Sequence, residues 1–240
     1  MTSQSQRAES APHLQPSRSF PVAERFVSIN GEGTHAGRLA AFVRFSGCNL
    51  TCTYCDTQWA QDAELTVELL DADQLCAWIG EQPCACVTIT GGEPTLQSHL
   101  PEFVRAVAAL EQIQVVEIET NGSTDLAELA TKRPDELRIT MDYKLPSSGM
   151  EDKMRPENFA LLAPHDVVKF VIGTAEDLET MARIVSEHGL ADHCHVYLSP
   201  VFGQMDPAII VDFMKERDLT QATLQLQLHK IIWPDQERGV

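Results

Sequence analysis

Short apolar segments rich in β-branched residues alternate along this sequence with longer amphipathic segments, a pattern typical of βαβ units around a parallel sheet. Six strands are predicted, at residues 39–45, 86–90, 115–120, 138–142, 167–172 and 196–199. Five helices are predicted, at residues 71–80, 100–110, 124–131, 175–188 and 207–217. Such units build either an open doubly wound sheet or a barrel, and six are fewer than the eight of a closed barrel. The sequence therefore predicts an α/β fold, a partial (β/α)6 TIM-like barrel with its chemistry at the carboxyl ends of the strands.

The chain has 240 residues and no linker that would divide it. Residues 1–20, rich in Ser, Gln and Pro, are predicted to form a disordered tail, and residues 21–240 a single domain. The tail lacks the apolar core of a secretory signal, and no apolar run approaches the roughly 20 residues that cross a bilayer. We therefore expect a cytoplasmic protein with no membrane partner.

The formal net charge is −17, from 18 Lys and Arg against 35 Asp and Glu. A protein that binds nucleic acid needs a basic surface to displace the counterions of the phosphates. This balance excludes nucleic-acid binding as the expected function. A cation beside a binding site is correspondingly informative, because it must act against the field of the whole chain.

Three of the seven cysteines, Cys48, Cys52 and Cys55, lie directly after the first predicted strand in a C-x3-C-x2-C spacing. Buried free thiols or a structural zinc site are the alternatives, but zinc usually draws four ligands from two separated pairs. Three thiolates can instead hold three corners of a cubane iron–sulfur cluster and leave one iron open to a chelating ligand. Cys84 and Cys86 are predicted to be buried free thiols, and no role is assigned to them, to Cys76 or to Cys194.

This spacing, with Tyr54 before the last cysteine, resembles the signature of the radical S-adenosylmethionine (SAM) superfamily. In that superfamily the amino and carboxylate groups of SAM chelate the open iron of a 4Fe-4S cluster. Reduction of the cluster then cleaves SAM to a 5'-deoxyadenosyl radical that abstracts a hydrogen atom from the substrate. The resemblance implies a radical SAM domain with these cofactors and with Tyr54 near SAM.

Two further strand ends fit the resemblance. Gly91, Gly92 and Glu93 follow an apolar strand and resemble the motif that holds the amino group of SAM in this superfamily. Glu119 and Asn121 end the next strand and resemble the polar edge near the SAM ribose, although a plain strand with an Asn-Gly turn explains them equally well.

The flanking segments resemble one family within the superfamily, the 7-carboxy-7-deazaguanine synthases. The order N-G-E-G at residues 30–33, then F-V-R-F-S-G-C at 42–48 and C-D-T at 55–57, is similar to the amino-terminal half of that family. The stretch Q-L-H-K at residues 227–230 is similar to its carboxyl-terminal half. The resemblance extends from about residue 26 to residue 240.

The resemblance implies an enzyme that converts 6-carboxy-5,6,7,8-tetrahydropterin to 7-carboxy-7-deazaguanine with loss of ammonia, in the pathway to queuosine and other 7-deazapurines. It also implies Mg2+ bound by the substrate carboxylate and the Thr57 hydroxyl, a reasonable pairing because hard cations take oxygen ligands. Arg44 would pair with the substrate carboxylate as a planar fork. The other implied substrate contacts are Ile29, Asn30, Gly31, Glu32, Thr90, His229 and Val240.

This sequence departs from the family at three of the implied positions. Asn30 stands where the family usually has Gln, which carries the same donors and acceptor on a longer side chain. Residues 142–144, from Asp142 to Lys144, read D-Y-K where members of the family often show S-P-K. Ser199 and the proline after it stand where members show Q-P. We expect all three of Asp142, Lys144 and Ser199 to contact SAM.

Two other functions stay open at this point. A glycyl-radical activating enzyme has a similar length and the same cysteine loop, but its substrate is a protein. A zinc-stabilised binding module without catalysis belongs to another class. For the preferred function we expect an electron donor such as flavodoxin, and a homodimer.

Overall fold

The computed structural model describes residues 19–62, 65 and 67–240. It contains nine strands, β1 (Ser19–Ile29), β2 (Leu39–Phe45), β3 (Glu68–Asp71), β4 (Cys86–Gly91), β5 (Val115–Thr120), β6 (Leu137–Tyr143), β7 (Val167–Ile172), β8 (His195–Pro200) and β9 (Ala222–Leu224). Its α-helices are α1 (Ala72–Gly80), α2 (Leu100–Ala108), α3 (Ala127–Thr131), α4 (Ala175–His188), α5 (Pro207–Glu216) and α6 (Leu228–Ile232). Every helix in this part of the chain is too short or too polar to span a bilayer.

All nine strands belong to one sheet, in the order β3-β1-β2-β4-β5-β6-β7-β8-β9. The strands from β2 through β4 to β9 pair in parallel, whereas β1 pairs antiparallel with both β2 and β3. The first and last strands of this order do not pair with each other, so the sheet is an open, partial barrel. The fold class predicted from the sequence is confirmed, and all six predicted strands are present.

Three strands and one helix were not predicted. β1 and β3 lie outside the βαβ pattern because they pair antiparallel, and β9 and α6 are only three and five residues long. The predicted tail is partly wrong, since Ser19 and Phe20 already pair in β1 and the Phe20 ring stacks on Phe45. Residues 1–18 of that tail lie outside the described residues.

Alternating side chains give the parallel strands two different faces. Apolar residues point outward to the helices and form the main core, as Val87 and Ile89 do in β4 and Val168 and Phe170 in β7. The residues between them point to the concave side, and many of them are polar, although Phe42 and Val171 also line the cavity. The polar concave residues are Arg44 in β2, Thr88 and Thr90 in β4, Glu117 and Glu119 in β5, Thr140 and Asp142 in β6, Lys169 in β7 and Ser199 in β8.

Helix ends follow the local sequence. Asp71 caps α1 through a reciprocal pair of hydrogen bonds with Gln74, a capping box. Asp206 caps α5, and Pro207 occupies its first turn, where a missing N–H costs no hydrogen bond. These helices cover the apolar face of the sheet and leave the carboxyl ends of the strands open.

Candidate active site

A cavity of about 940 Å³ opens at the carboxyl ends of the strands, between the loop after β2 and the carboxyl-terminal segment. Most of the residues predicted for the site line it. They are Ile29, Gly31, Glu32, Arg44, Cys48, Cys52, Tyr54, Cys55, Thr57, Thr90, Gly91, Gly92, Glu119, Asn121, Asp142, Lys144, His229 and Val240. The predictions therefore converge on one place, although they come from seven separate stretches of sequence.

The cysteine loop forms the outer wall of this cavity. Cys48, Cys52 and Cys55 are free and half-buried. Amide donors approach two of the sulfurs: the backbone N–H of Leu50 lies 3.4 Å from Cys48 Sγ, and Gln61 Nε2 lies 3.3 Å from Cys55 Sγ. Such donors favour the thiolate form that a metal requires.

The two glycines after β4 hold this loop against the sheet. The N–H of Gly92 donates to the carbonyl of Phe45 at 3.1 Å, and the N–H of Glu93 donates to the carbonyl of Gly47 at 2.8 Å. A Cβ atom on Gly92 would overlap the Gly47 carbonyl oxygen. The absence of a side chain therefore lets β4 contact the backbone that carries Cys48.

The three thiols suit an iron–sulfur cluster better than a single ion. Burial raises the pKa of both Cys48 and Cys52, and the charge of Cys55 raises both further, so a compensating cation would stabilise the thiolates. Among the described residues no three Cys, His, Asp or Glu side chains lie close enough together to ligate one metal ion. A cubane spans more widely separated sulfurs than zinc does, and the donor set fits that larger group.

Glu93 does not reach the cavity, contrary to its predicted role. The residue is fully buried, and Oε1 accepts hydrogen bonds from the backbone of Thr95 at 2.9 Å, from its hydroxyl, and from Thr120 Oγ1 at 2.7 Å. Oε2 accepts from the N–H of Asn121 at 2.6 Å. Protein donors thus occupy the carboxylate, and its effect is to fix Asn121, whose amide lies 3.7 Å from Cys48 Sγ.

Asp142, Lys144 and Tyr54 form the wall beyond the cysteines. Lys144 Nζ donates to Asp142 Oδ2 at 2.8 Å, and the Tyr54 hydroxyl donates to the carbonyl of Val171 at 3.4 Å. Burial raises the pKa of Tyr54 to about 12, so the phenol stays neutral. Asp142 Oδ1 is buried and accepts no well-aligned hydrogen bond from the described residues, although Lys169 lies 3.1 Å away. Because Oδ1 is buried, a bound molecule can reach only the exposed part of the Asp142 side chain, which is 20% of it.

Arg44 lies deeper, on the floor of the cavity. Its Nε donates to Glu24 Oε1 at 2.8 Å, and its guanidinium lies 5.9 Å from the ring centre of Trp59. The side chain is therefore not a solvent-facing strand residue. Because Glu24 accepts from Nε, the two terminal nitrogens of the planar guanidinium are left to bind a carboxylate in a bidentate manner.

Asn30 and Ser199 are not brought to the cavity. The Asn30 amide accepts from Thr88 Oγ1 at 2.6 Å and donates to Glu117 Oε2 at 3.5 Å, below the cavity floor. Ser199 is fully buried and donates to Glu32 Oε1 at 3.3 Å. Ser199 thus supports Glu32, which lines the cavity, whereas the polar groups of Asn30 are used by Thr88 and Glu117 within the barrel.

Lys169 lines the cavity floor and was missed from the sequence. It lies in β7, where Val167, Val168 and Phe170 are fully buried. A lysine inside an apolar run of a central parallel strand is the signal that could have identified it, because both faces of such a strand are normally covered. Its ammonium lies 2.9 Å from Glu32 Oε2 and 3.1 Å from Asp142 Oδ1.

Two glutamates in β5 have perturbed acidities. Burial raises the pKa of Glu117 to about 8, and the charge of Glu119 adds to this effect. Burial also raises the pKa of Glu119, against the opposing charges of Lys169 and Arg44 and a hydrogen bond from Thr90. Glu119 lines the cavity beside Glu32 and Lys169.

The carboxyl-terminal segment closes the cavity. Lys230 Nζ lies 3.1 Å from Asp56 Oδ2, and His229 Nε2 lies 4.0 Å from the same oxygen. Burial would raise the pKa of Asp56, but the contacts from His229 and Lys230 outweigh it and hold the pKa well below its usual range. The segment then runs back so that Gln236, Glu237 and Val240 line the cavity.

The chain matches the sequence model of the radical SAM superfamily over residues 42–202. The superfamily predicted from the cysteine spacing is confirmed, and with it a domain that uses a 4Fe-4S cluster and SAM.

Comparison with individual proteins identifies one family within this superfamily. A 7-carboxy-7-deazaguanine synthase from Clostridium acetobutylicum is 45% identical over 92% of this chain and 99% of its own. One from Chlorobaculum tepidum is 35% identical over 91% of this chain and 96% of its own. The crystal structure of QueE from Escherichia coli superposes with a TM-score of 0.69 over 87% of this chain and 94% of that one, at 21% identity, which shows the shared fold. This chain belongs to the 7-carboxy-7-deazaguanine synthase family of radical SAM enzymes.

Proposed function

We propose that this protein converts 6-carboxy-5,6,7,8-tetrahydropterin to 7-carboxy-7-deazaguanine with loss of ammonia. The observation that carries the proposal is one cavity that joins the three-cysteine loop to a floor containing Arg44, Glu32 and Glu119. A volume of about 940 Å³ is large for a single small ligand and suits two side by side.

The wall nearest the cysteines would hold SAM. Tyr54, Asn121, Asp142 and Lys144 supply hydrogen-bonding groups there, and Gly91 and Gly92 expose backbone. Cys48, Cys52 and Cys55 would hold the 4Fe-4S cluster, which would supply the electron for cleavage of SAM to a radical that takes a hydrogen atom from the substrate. The chain's own contribution is to hold the two ligands in one enclosed space and keep water out.

The floor would hold the pterin. Arg44 would pair with its carboxylate, and the carboxylate of Glu32 would accept hydrogen bonds from ring N–H groups. Ile29, Gly31 and Thr90 line the same region, and His229 and Val240 cover it. We also propose that Thr57, whose hydroxyl lies 3.7 Å from Cys55 Sγ, contributes an oxygen ligand to Mg2+ together with the substrate carboxylate.

The closed end of the cavity favours this function over activation of a glycyl-radical protein. Gln236, Glu237 and Val240 line the cavity from the carboxyl-terminal segment, so a protein loop would have to displace that segment to enter. A small molecule needs no such opening.

The reaction also needs a source of electrons, and we propose a flavodoxin-type carrier. The cysteine loop reaches the surface, where Thr51 and Thr53 are exposed, so a partner can approach the cluster from outside. We further propose a homodimer, because Phe202 and Ile231 expose more than half of their apolar surface beside a groove of about 520 Å³. We place this enzyme in the cytoplasm, where thiols stay reduced.

The test is an anaerobic reaction of the cluster-loaded protein with 6-carboxy-5,6,7,8-tetrahydropterin, SAM, Mg2+ and dithionite, followed by mass spectrometry. We expect 7-carboxy-7-deazaguanine to accumulate in excess of 5'-deoxyadenosine, because the family regenerates SAM. A triple Cys→Ala variant of Cys48, Cys52 and Cys55 should contain no cluster iron and make no product.

Removal of Mg2+ with a chelator should lower the rate of deazaguanine formation, and Thr57→Val should lower it to a similar extent. A cluster-loaded wild-type protein that cleaves SAM but makes no deazaguanine would overturn the proposal. A colourless protein that holds zinc instead of iron would overturn the radical chemistry altogether.

A further inference from the structure

Lys169 lies in the floor of the cavity, between the residues proposed to bind the pterin and those proposed to bind SAM. Only 8% of its side chain is exposed, and its ammonium contacts two carboxylates, Glu32 Oε2 at 2.9 Å and Asp142 Oδ1 at 3.1 Å. The parallel register of β6 and β7 places Lys169 directly beside Asp142. The backbone therefore fixes this contact, and side-chain flexibility contributes little to it.

These contacts continue in both directions across the cavity. Asp142 also contacts Lys144 at 2.8 Å through its second oxygen, and the charge of Lys144 acts on Tyr54 and Cys52. On the other side, Glu32 accepts hydrogen bonds from Ser199 at 3.3 Å and from Gln227 at 3.4 Å. Glu32, Lys169, Asp142 and Lys144 thus form a row of alternating charges from the floor to the wall near the cysteines.

The charges of this row depend on one another. Glu119 and Glu117 are additional buried carboxylates on β5, and the charge of Lys169 acts on both of them. Removal of Lys169 would leave Glu32, Asp142 and the β5 glutamates without their shared cation. A buried carboxylate that loses its cation is unfavourable, so these side chains would move apart, and Asp142 would be held by Lys144 alone.

We propose that Lys169 is a positioning residue that orients Glu32 toward the pterin and Asp142 toward SAM, and so holds the two ligands in register. This inference rests on the proposed function. Glu32 can accept hydrogen bonds from ring N–H groups only if its carboxylate is held in a fixed position. Asp142 lines the same cavity with 20% of its side chain exposed and offers the corresponding acceptor to a hydroxyl of SAM.

The test compares four variants by equilibrium binding of SAM and of the carboxy-tetrahydropterin to the cluster-loaded protein. Glu32→Gln should weaken pterin binding at least tenfold and change SAM binding less than twofold. Asp142→Asn should do the reverse. Lys169→Met should weaken both at least tenfold, because Lys169 is the residue, within the described part of the chain, that contacts both carboxylates. Lys153→Met, an exposed lysine paired with Asp152, is the matched control and should change neither more than twofold.

Iron content and visible absorbance establish that each variant is folded and loaded. If Lys169→Met fails to load, Lys169→Arg decides the question, because it keeps the positive charge but its longer, planar group cannot hold the two carboxylates in the geometry that the ammonium gives them. Weaker binding of both ligands by Lys169→Arg, to a similar extent and in loaded protein, supports the proposal. Wild-type affinity for either ligand in a loaded Lys169 variant overturns it.

The kinetic readout separates this inference from the proposed function. In Lys169→Met we expect higher KM values for both ligands and more 5'-deoxyadenosine per product than in the wild type, since the ligands are no longer held in register. A wild-type protein that makes no deazaguanine overturns the proposed function. In that case the SAM affinity of Lys169→Met still decides the inference: a tenfold loss retains it, and an unchanged value refutes it.

Discussion

Glu117 is fully buried in the centre of β5, below the cavity floor. Its Oε1 accepts from Thr140 at 2.7 Å, and its Oε2 accepts from Asn30 at 3.5 Å. Gly33 passes so close that a Cβ atom there would overlap Oε1. A carboxyl group in such a place is more stable with its proton, because burial penalises the charged form.

This residue makes the stability of the protein depend on pH. Its pKa is about 8 in the folded chain, against 4.5 ordinarily, so the folded state retains a proton that the unfolded state has lost between these values. Its contribution therefore lowers the free energy of unfolding as pH rises through this window, by up to about 1.4 kcal/mol per pH unit. In urea denaturation between pH 5 and pH 8, Glu117→Gln should remove this component, and the variant should gain stability relative to the wild type with rising pH.

Glu111→Gln is the matched control, since Glu111 is exposed and should leave the pH dependence unchanged. Parallel stability curves for the wild type and Glu117→Gln would contradict the prediction.

At the scale of secondary-structure elements, the site depends on the place where the end of β4 crosses the loop after β2. Phe45 pairs with Gly91 at the end of the two parallel strands, and the following peptides continue this contact to Gly47 and Cys48. The polypeptide backbones touch here without intervening side chains. The position of the first cysteine is thus set by a strand about forty residues further along the sequence.

Gly92→Ala tests this contact. The added methyl group would overlap the Gly47 carbonyl and come within 2.9 Å of Cys48 Cβ, so the cysteine loop must move. We expect at least a tenfold loss of cluster iron after reconstitution, and destabilisation by about 1–3 kcal/mol in urea denaturation. Gly80→Ala is the control, because its nearest contact would be at 3.8 Å and alanine suits the helix that Gly80 ends. Normal iron content in Gly92→Ala would show that the loop adapts without this contact.

At the scale of the whole molecule, the segment after β1 meets the carboxyl-terminal segment over the cavity. Gly33 and Gln225 exchange two hydrogen bonds, at 2.8 and 2.9 Å, and the N–H of Leu228 donates to the carbonyl of Gly31 at 3.1 Å. Arg238 stacks on Trp59, with its guanidinium 4.0 Å from the ring centre. The segment after β1 and the segment after β9 therefore close the open side of the partial barrel together.

Lys230→Met should loosen this closure without disturbing the cluster. Lys230 pairs with Asp56 in the cysteine loop, and Asp56 is 42% exposed, so solvent limits the interaction to about 1 kcal/mol. We expect roughly a fivefold increase in KM for the pterin, with unchanged iron content, in steady-state kinetics. Lys215→Met, which removes a comparable surface pair with Asp212, should leave KM unchanged. An unchanged KM in Lys230→Met would mean that closure does not depend on this pair.

The sequence alone was sufficient for much of this protein. Periodicity predicted the parallel strands, because each is an apolar run between helical segments, and the cysteine spacing with its flanks predicted the superfamily and family. It was insufficient where pairing is antiparallel or short, as in β1, β3 and β9, since these strands carry no βαβ signal. It also could not distinguish polar residues that face the cavity from those, such as Asn30 and Glu93, whose groups are used inside the barrel.

The sequence by itself determined the properties that are encoded in neighbouring residues. These are the strands and helices of the βαβ units, the cap of α1, and the three thiols on one loop. Tertiary structure decided which distant residues share a surface. Lys169 lies beside Asp142 because β6 and β7 pair in that register, and it reaches Glu32 because the segment after β1 crosses the barrel. The energies of buried charges depend on these distances, and a linear sequence does not contain them.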